Sequence, residues 1–364
     1  MRIPQVHAFA FRGVLSRVAI AMMACSTALS AWSDTGTGDV VGVHRLTLAS
    51  GPNFISLPLH GPAAFRGTVQ SVSAGGLTVS VDPVWTADAF GPRDGFTQYI
   101  VLVRTDASET PGIEGDWWPV LSNGADTLTV GTRGTDLSTL LAAGDEVEVR
   151  RLTSLKDVFG SGASLKLNPD VDFDVLTTQE DVIRFVQGVS FSGEVFYHQG
   201  APSETGYYFN GSLLGTGDGS TITLMPGEPL LVWRKAGSGP LAMLLSGSVL
   251  KTRFTHYLMP GPNAVGAVYP VPSPLALANL HESGWVSDEN FDILTTEEDI
   301  IRAVYGTSFG EEVFHHAGPV DAAYGWYASG EFTEVYSFQP TRGYVFFVTG
   351  SSMLRWRQNP ALEP

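Results

Sequence analysis

Residues 173–200 read FDVLTTQEDVIRFVQGVSFSGEVFYHQG, and residues 291–318 repeat this text as FDILTTEEDIIRAVYGTSFGEEVFHHAG. Eighteen of the 28 positions are identical, without a gap, at a constant offset of 118 residues. A period of this size is too long for a solenoid repeat and is typical of a duplicated small domain. The sequence therefore predicts two copies of one module.

The similarity extends beyond this block on both sides. Three further pairs of segments match: Gly206-Tyr207-Tyr208 with Gly325-Trp326-Tyr327, Pro226–Trp233 with Pro340–Phe347, and Gly51-Pro52-Asn53 with Gly261-Pro262-Asn263. The last pair is the faintest, and it indicates that a strand beginning with Gly-Pro-Asn introduces the module.

Composition favours a β protein with many turns. The 364 residues include 41 Gly and 22 Pro, and only 16% are charged, whereas long helices draw on Glu, Lys and Arg. We expect an all-β, multi-domain fold with short-stranded sandwich-like or barrel-like domains, a duplicated C-terminal module and few short helices. The predicted divisions are a signal peptide at 1–33, an N-terminal β domain at 40–151, module copies at 152–250 and 274–357, and a linker strand at 251–273.

Residues 1–33 have the layout of a secretory signal peptide. Arg2, Arg12 and Arg17 precede an apolar stretch of small residues, and Ala28 to Ala31 offers cleavage sites. The alternatives are a membrane anchor, for which the apolar run is short, and a lipoprotein attached through Cys25. The prediction is a secreted, periplasmic or cell-surface protein without a transmembrane segment after removal of the signal.

Charge and cysteine content exclude several function classes. The chain carries a net charge of −16 and one cysteine, which lies in the predicted leader. Nucleic acid is a poor partner for an acidic protein, because phosphate binding needs a basic face. A single cysteine permits no disulfide within the chain. The remaining candidate partners are extracellular polysaccharide and other surface proteins.

Acidic residues alternate at the start of each repeat. The series Asp170, Asp172 and Asp174 is matched at the same offset by Asp288, Asn290 and Asp292. Alternating oxygen ligands resemble the opening of a calcium loop, and Asp181 and Asp299 fall at its twelfth position. The sixth position holds Val175 or Ile293 where an EF-hand requires glycine. Two interpretations remain open: a looser calcium site, and the solvent-facing row of a strand. Calcium is the only cofactor that the sequence suggests.

Other polar residues of the repeat give no catalytic pattern. The candidate acid/base residues are Glu180, Asp181, Glu297, Glu298 and Asp299, and the candidate metal ligands are His198, His315 and His316. The presence of the carboxylates in both copies favours a structural task over a single active site, and no HExxH or paired-histidine spacing occurs. No catalytic residues are predicted.

Aromatic residues supply the second binding hypothesis. Tyr207 and Tyr208 in the first copy are matched by Trp326 and Tyr327 in the second, and two weak sugar-stacking sites would reinforce each other. The alternative is that these rings fill the core, as aromatic residues commonly do in β proteins.

Local rules conflict at residues 177–187 and 295–305. Thr177 and Glu180 are spaced like a helix capping box, whereas the following DVIRFV is rich in β-branched and aromatic residues. We predict strand rather than helix here.

The combination of leader, GPN strand, Gly-Tyr-Tyr or Gly-Trp-Tyr step and Pro-led apolar strand resembles an uncharacterised family of exported bacterial proteins with a duplicated β-rich module. The resemblance implies export and a β architecture, and it implies no activity. The functional hypotheses are a non-catalytic structural or ligand-binding module, a carbohydrate-binding protein, and an extracellular hydrolase with a site between domains.

Overall fold

Alternation of apolar and polar side chains gives the described part of the chain many short strands and very little helix. A computed structural model describes residues 39–79, 84–107, 112–175, 177–291, 297–318, 324–333 and 335–360. All of them belong to one compact unit, Asp39–Pro364, and the other unit, Met1–Gly38, lies outside the described residues, as does the predicted signal peptide. The fold is all-β, as predicted, with 48% strand and 5% helix among the described residues.

The elements follow one another in three groups. The first eight strands are β1 (Val41–Leu48), β2 (Gly51–Ile55), β3 (Ala63–Ser73), β4 (Gly76–Val79), β5 (Tyr99–Thr105), β6 (Trp117–Asn123), β7 (Thr127–Val130) and β8 (Glu146–Arg151). The next eight are β9 (Thr153–Ser154), β10 (Val182–Gln187), β11 (Ser190–His198), β12 (Gly206–Phe209), β13 (Ser212–Leu213), β14 (Thr223–Leu224), β15 (Leu230–Arg234) and β16 (Leu241–Ser248). The last ten are β17 (Phe254–Leu258), β18 (Gly261–Gly266), β19 (Ser273–Pro274), β20 (Ile300–Tyr305), β21 (Ser308–His316), β22 (Gly325–Ala328), β23 (Glu331–Phe332), β24 (Ser337–Phe338), β25 (Gly343–Val348) and β26 (Leu354–Gln358).

In the ranges that the structure describes, helical structure is confined to short connectors. Helix α1 (Leu155–Phe159) begins with a capping box formed by Ser154 and Asp157. Short 3-10 turns occur at Leu137–Thr139, Gly162–Ser164, Leu275–Leu277 and His281–Ser283. The strand prediction for the conflicting segments is confirmed where β10 and β20 run, because burial of their β-branched residues outweighs the local capping signal.

Strands β3 to β8 close into a barrel in the order β3-β4-β7-β6-β5-β8. Closure leaves no free sheet edge within the barrel. Its interior is filled by apolar side chains, among them Val69, Leu77, Val101, Val103, Trp118, Val120, Leu128, Val147 and Val149.

The two modules have the same topology, strand for strand. The first contains a six-stranded sheet in the order β13-β12-β11-β10-β15-β2, and the second contains β23-β22-β21-β20-β25-β18. Each also has a two-stranded ribbon, β1 with β16 and β17 with β26, and a minimal pair, β9 with β14 and β19 with β24. Each module encloses its own apolar core.

The strand pairing differs from the predicted division at two places. Strands β1 and β2, expected in the N-terminal domain, pair with β16 and β15 of the first module. Strands β17 and β18, expected in the linker, pair with β26 and β25 of the second. The barrel is therefore inserted into the first module between β2 and β9.

The Gly-Pro-Asn strands begin with the same local structure in both modules. The Asn53 side chain accepts a hydrogen bond from the Ala49 amide at 2.8 Å and donates to the carbonyls of Ala49 and Gly51 at 2.9 and 2.8 Å. Asn263 makes the same three bonds at 2.7, 2.7 and 2.9 Å. The glycine two residues earlier has a φ of 83° in one copy and 89° in the other, a conformation that favours glycine.

Candidate functional site

A buried aspartate–histidine pair occurs at the same place in each module. Backbone bonds lay the Asp170 segment beside the end of β11, since the Asp170 amide donates to Tyr197 and the Gln199 amide donates to Asp170. The Asp170 carboxylate then lies 2.5 Å from Nδ1 of His198. In the second module the carboxylate of Asp288 lies 2.6 Å from Nδ1 of His316.

A tight turn closes over each pair. The Phe173 amide donates to both carboxylate oxygens of Asp170 at 3.1 Å, and the Phe173 backbone has a φ of 63°. Its ring stacks on His198 with a centroid separation of 3.6 Å. Phe291 repeats the turn with a φ of 67° and hydrogen bonds of 2.9 and 3.0 Å to Asp288. The pairs are thus packed into the module and tie its loop to its sheet.

The predicted acidic row does converge in the first module. One carboxylate oxygen from each of Asp170, Asp172 and Asp174 lies within 4.8 Å of the others, with Asp170 buried and the other two exposed. A hydrogen bond with Asp172, together with the negative charges of Asp172 and Asp170, raises the pKa of Asp174. Carboxylates this close repel each other unless a proton or a cation lies between them.

The second module carries part of the same row. Asp288 is buried in its pair with His316, and Asn290 is exposed. Asp292 lies outside the described residues, so the structure describes two of the three predicted ligands in this copy.

Asp181 and Asp299 point inward and accept several hydrogen bonds. Asp181 accepts from the backbone amides of Asn168 at 3.0 Å and Lys235 at 2.7 Å, and Arg234 lies 3.4 Å away. Asp299 accepts from the amides of Val286 and Thr349 and from the Thr349 hydroxyl at 2.6 to 2.8 Å. These carboxylates therefore connect the loop before β10 to the residue after β15, and the loop before β20 to the residue after β25. Glu180 and Glu298 beside them are also buried, and Glu297 is exposed.

The four aromatic residues predicted to bind sugar are buried. Their exposed fractions are 0% for Tyr207, 8% for Tyr208, 5% for Trp326 and 5% for Tyr327. The Tyr207 hydroxyl donates to Gly160 and the Tyr208 hydroxyl donates to Glu204, so both polar ends are also used internally. These rings are core residues and offer no platform on which a sugar could stack.

The extra histidine of the second module contacts another histidine. His315 stacks on His281 with a centroid separation of 5.1 Å, and its Nδ1 lies 2.8 Å from the Ser287 hydroxyl. Burial lowers the pKa of His315 to about 4, with a smaller contribution from His281. The only group of three or more potential ligands within the described ranges is the acidic row of the first module.

A large cleft lies where the barrel meets both modules. Its volume is about 520 Å³, within the usual range of ligand pockets. The barrel contributes Trp117 and Arg133, the first module contributes Val186–Gly188 and Pro226–Glu228, and the second contributes Phe254–Met259, Asn263–Val265 and Met353. Sequence reasoning missed this site because its residues come from distant segments and share no local pattern.

Aromatic rings fix the position of Arg133 in this cleft. Its guanidinium carbon lies 4.1 Å from the ring centroid of Trp117 and 4.2 Å from that of Tyr257. One guanidinium nitrogen donates to the Trp117 carbonyl at 2.7 Å. Trp117 itself stacks on Phe254 at 5.8 Å, and its indole N–H donates to Thr255. Cation–π contacts thereby hold the Arg133 guanidinium at the junction of the barrel and the second module.

Glu228 faces the same cleft from the first module. The residue is exposed at this position. Desolvation by the surrounding protein raises the Glu228 pKa to about 7, against an opposing effect of Arg133. The neighbouring His256 ring packs under Gly227, and burial lowers its pKa to about 4.

No protein-family model, curated protein or solved structure matches this chain. Among the residues that the structure describes, no helix is both long and apolar enough to cross a membrane.

Proposed function

We propose that the protein is a non-catalytic structural or ligand-binding component of the cell surface or the extracellular space. One observation carries this proposal: buried aspartate–histidine pairs occur at equivalent positions in both modules and make the same internal contact in each copy. The pairs are Asp170 with His198 and Asp288 with His316. Duplicated internal staples indicate selection for a stable repeated scaffold. Export is supported by the layout of residues 1–33 and by the resemblance to exported proteins.

Fractionation and activity screening test this proposal together. The full chain is expressed in a Gram-negative host, and the mature protein is expected outside the cytoplasm with its N-terminus near residue 34. Chromogenic esters, phosphoesters and glycosides are expected to show no turnover above a heat-denatured sample. Turnover that disappears in Glu228→Gln would contradict the non-catalytic role and support a hydrolase with its site between the domains.

A second candidate function is calcium-dependent stabilisation through residues 170–174. It is favoured by the approach of three carboxylates to within 4.8 Å of one another, which suits a hard cation with oxygen ligands. We expect calcium to raise the melting temperature of the full chain relative to excess chelator. Asp172→Ala combined with Asn290→Ala should abolish the rise, whereas the exposed Asp126→Ala should leave it unchanged. Superimposed melts of the unaltered protein would remove calcium from the proposal.

A further inference from the structure

The cleft between the barrel and the two modules has the composition of a binding site. It joins an apolar wall to a few polar groups that come from three separate parts of the fold. Such convergence at a domain junction, in a volume of about 520 Å³, is typical of a pocket for a small organic ligand.

The free hydrogen-bonding capacity of Arg133 is directed along the edge of its guanidinium. The rings of Trp117 and Tyr257 pack against the guanidinium, with centroids 4.1 and 4.2 Å from its carbon, and the N–H groups lie in the guanidinium plane. Within the described part of the chain, the Trp117 carbonyl is the one acceptor that Arg133 contacts. The remaining donors therefore stay available to a ligand or to water.

Glu228 provides acceptor capacity in the same cleft. Across the described ranges, its carboxyl has no hydrogen bond and no ion pair within 4.0 Å, Arg133 included. Glu228 is exposed in the cleft, so its carboxylate oxygens can accept hydrogen bonds from a ligand or from water. A carboxyl and a guanidinium that share a cleft without pairing suit a ligand group that can donate to one and accept from the other.

Charge selects the class of this ligand. An anion would face Glu228 and the nearby Asp116, and a cation would face Arg133. A neutral molecule with neighbouring hydroxyl groups avoids both conflicts, because one hydroxyl donates to the carboxylate while another accepts from the guanidinium. The rim adds the amide of Gln187 and the exposed side chain of Met259, which suit a further hydroxyl and the apolar face of a sugar ring.

We propose that the cleft between the barrel and the two modules binds a neutral saccharide, with Glu228 accepting from one hydroxyl and Arg133 donating to another. This inference rests on the proposed non-catalytic role, since the sugar is bound and released unchanged. It requires neither calcium nor the buried aromatic residues of the repeats.

The test is binding of defined oligosaccharides to the full chain by titration calorimetry. The probes are hexamers of glucose, mannose and galactose as neutral ligands, hexagalacturonate as the anion and hexaglucosamine as the cation. We expect at least one neutral hexamer to bind, with no more than weak binding of the two charged ones. Preference for a charged hexamer would overturn the assignment of the ligand class.

Variants then locate the binding site. Glu228→Ala and Arg133→Met should each weaken binding at least about tenfold, because each removes a hydrogen bond to a charged group. Gln187→Trp should abolish binding by filling the cleft from an exposed strand end. The matched control is Arg342→Met, since Arg342 lies 4.3 Å over the Tyr305 ring and does not line the cleft. This control should bind as the unaltered protein does.

Each outcome separates this inference from the proposed function. Loss of binding in Gln187→Trp, with an unchanged melting temperature, supports the site even if Arg133→Met fails to fold. Binding that all three cleft variants retain, or no binding of any neutral hexamer, overturns the site and leaves the non-catalytic role standing. Binding followed by cleavage of the hexamer, seen by mass spectrometry, supports the site and overturns the non-catalytic role.

Discussion

His198 and Asp170 are joined at 2.5 Å in a buried contact that the second module reproduces between His316 and Asp288 at 2.6 Å. In each module the contact links the loop before the sheet to the end of a long central strand. The same carboxylate also accepts a hydrogen bond from the backbone amide of the phenylalanine three residues later. One side chain thus fixes both a turn and a strand end.

Asp170→Asn and Asp288→Asn should destabilise the protein by similar amounts, about 1–3 kcal/mol each. Each change weakens the hydrogen bonds that the buried side chain accepts, while the side-chain volume stays nearly the same. The measurement is the free energy of unfolding in urea, with the exposed Asp126→Asn as control. Because the two sites lie in separate modules, the double variant should lose roughly the sum. A loss in only one module would show that the pairs are not equivalent.

Asp181→Ala should cost more than Asp299→Ala. Asp181 faces the buried Arg234, which would be left without its carboxylate, and losses of about 3–5 kcal/mol follow the breaking of buried pairs. At the equivalent point Asp299 meets the hydroxyl of Thr349, which carries no charge. Denaturation midpoints of the two variants check the order, and equal losses would mean that Arg234 finds another partner.

Asp172→Asn should raise the melting temperature in the presence of chelator. Contact with Asp172 raises the pKa of Asp174, so the ionised form of Asp174 is disfavoured in the folded protein. The gain should be present near pH 7 and should shrink as the pH falls and Asp174 takes up a proton. Thermal melts between pH 4 and pH 8 measure this trend. A gain of equal size at every pH would assign it to another cause.

The contribution of Glu228 to stability should fall as the pH rises from about 4.5 to about 7, so Glu228→Gln should gain stability relative to the unaltered protein across this window. The Glu228 pKa is raised from 4.5 to about 7, mainly by burial, so the folded state holds a proton that the unfolded state has released across this window. Arg133 opposes the shift, and His256 stays neutral here because its pKa is about 4. Urea midpoints at several pH values check the trend, with the exposed Glu331→Gln as control. Parallel curves for Glu228→Gln and the unaltered protein would contradict it.

The repeated module was predictable from the sequence, whereas the insertion of the barrel into its first copy was not. Eighteen identities over 28 positions carry the same alternation of apolar residues, so both copies form the same strands. The GPN segments are offset by 210 residues and the main block by 118. Their difference of 92 is close to the length of the barrel, residues 63 to 151, and this is the one sequence signal of the insertion.

The candidate sites were predictable only where they are local. Asp170, Asp172 and Asp174 are close in sequence, and one turn is enough to bring them together. Tyr207 and Trp326 lie on strands, and which face of a strand is buried depends on its tertiary packing. The repetition of these residues in the sequence therefore did not show that they are buried. Arg133 and Glu228 line one cleft because separate parts of the fold pack together, and no short sequence pattern encodes that packing.

The inserted barrel also affects the order in which the chain can fold during synthesis. The ribbon of the first module pairs Val41 with Ser248, whereas that of the second pairs Phe254 with Gln358. Closing the first ribbon therefore spans 207 residues against 104 for the second, and contacts between more distant residues form more slowly. During synthesis, strands β1 and β2 leave the ribosome before the barrel does. They cannot pair with β16 and β15 until the whole barrel has been synthesised. The first module is therefore completed only after the barrel inserted in it has been synthesised. Until then its strands have unpaired edges, which a chaperone would have to cover.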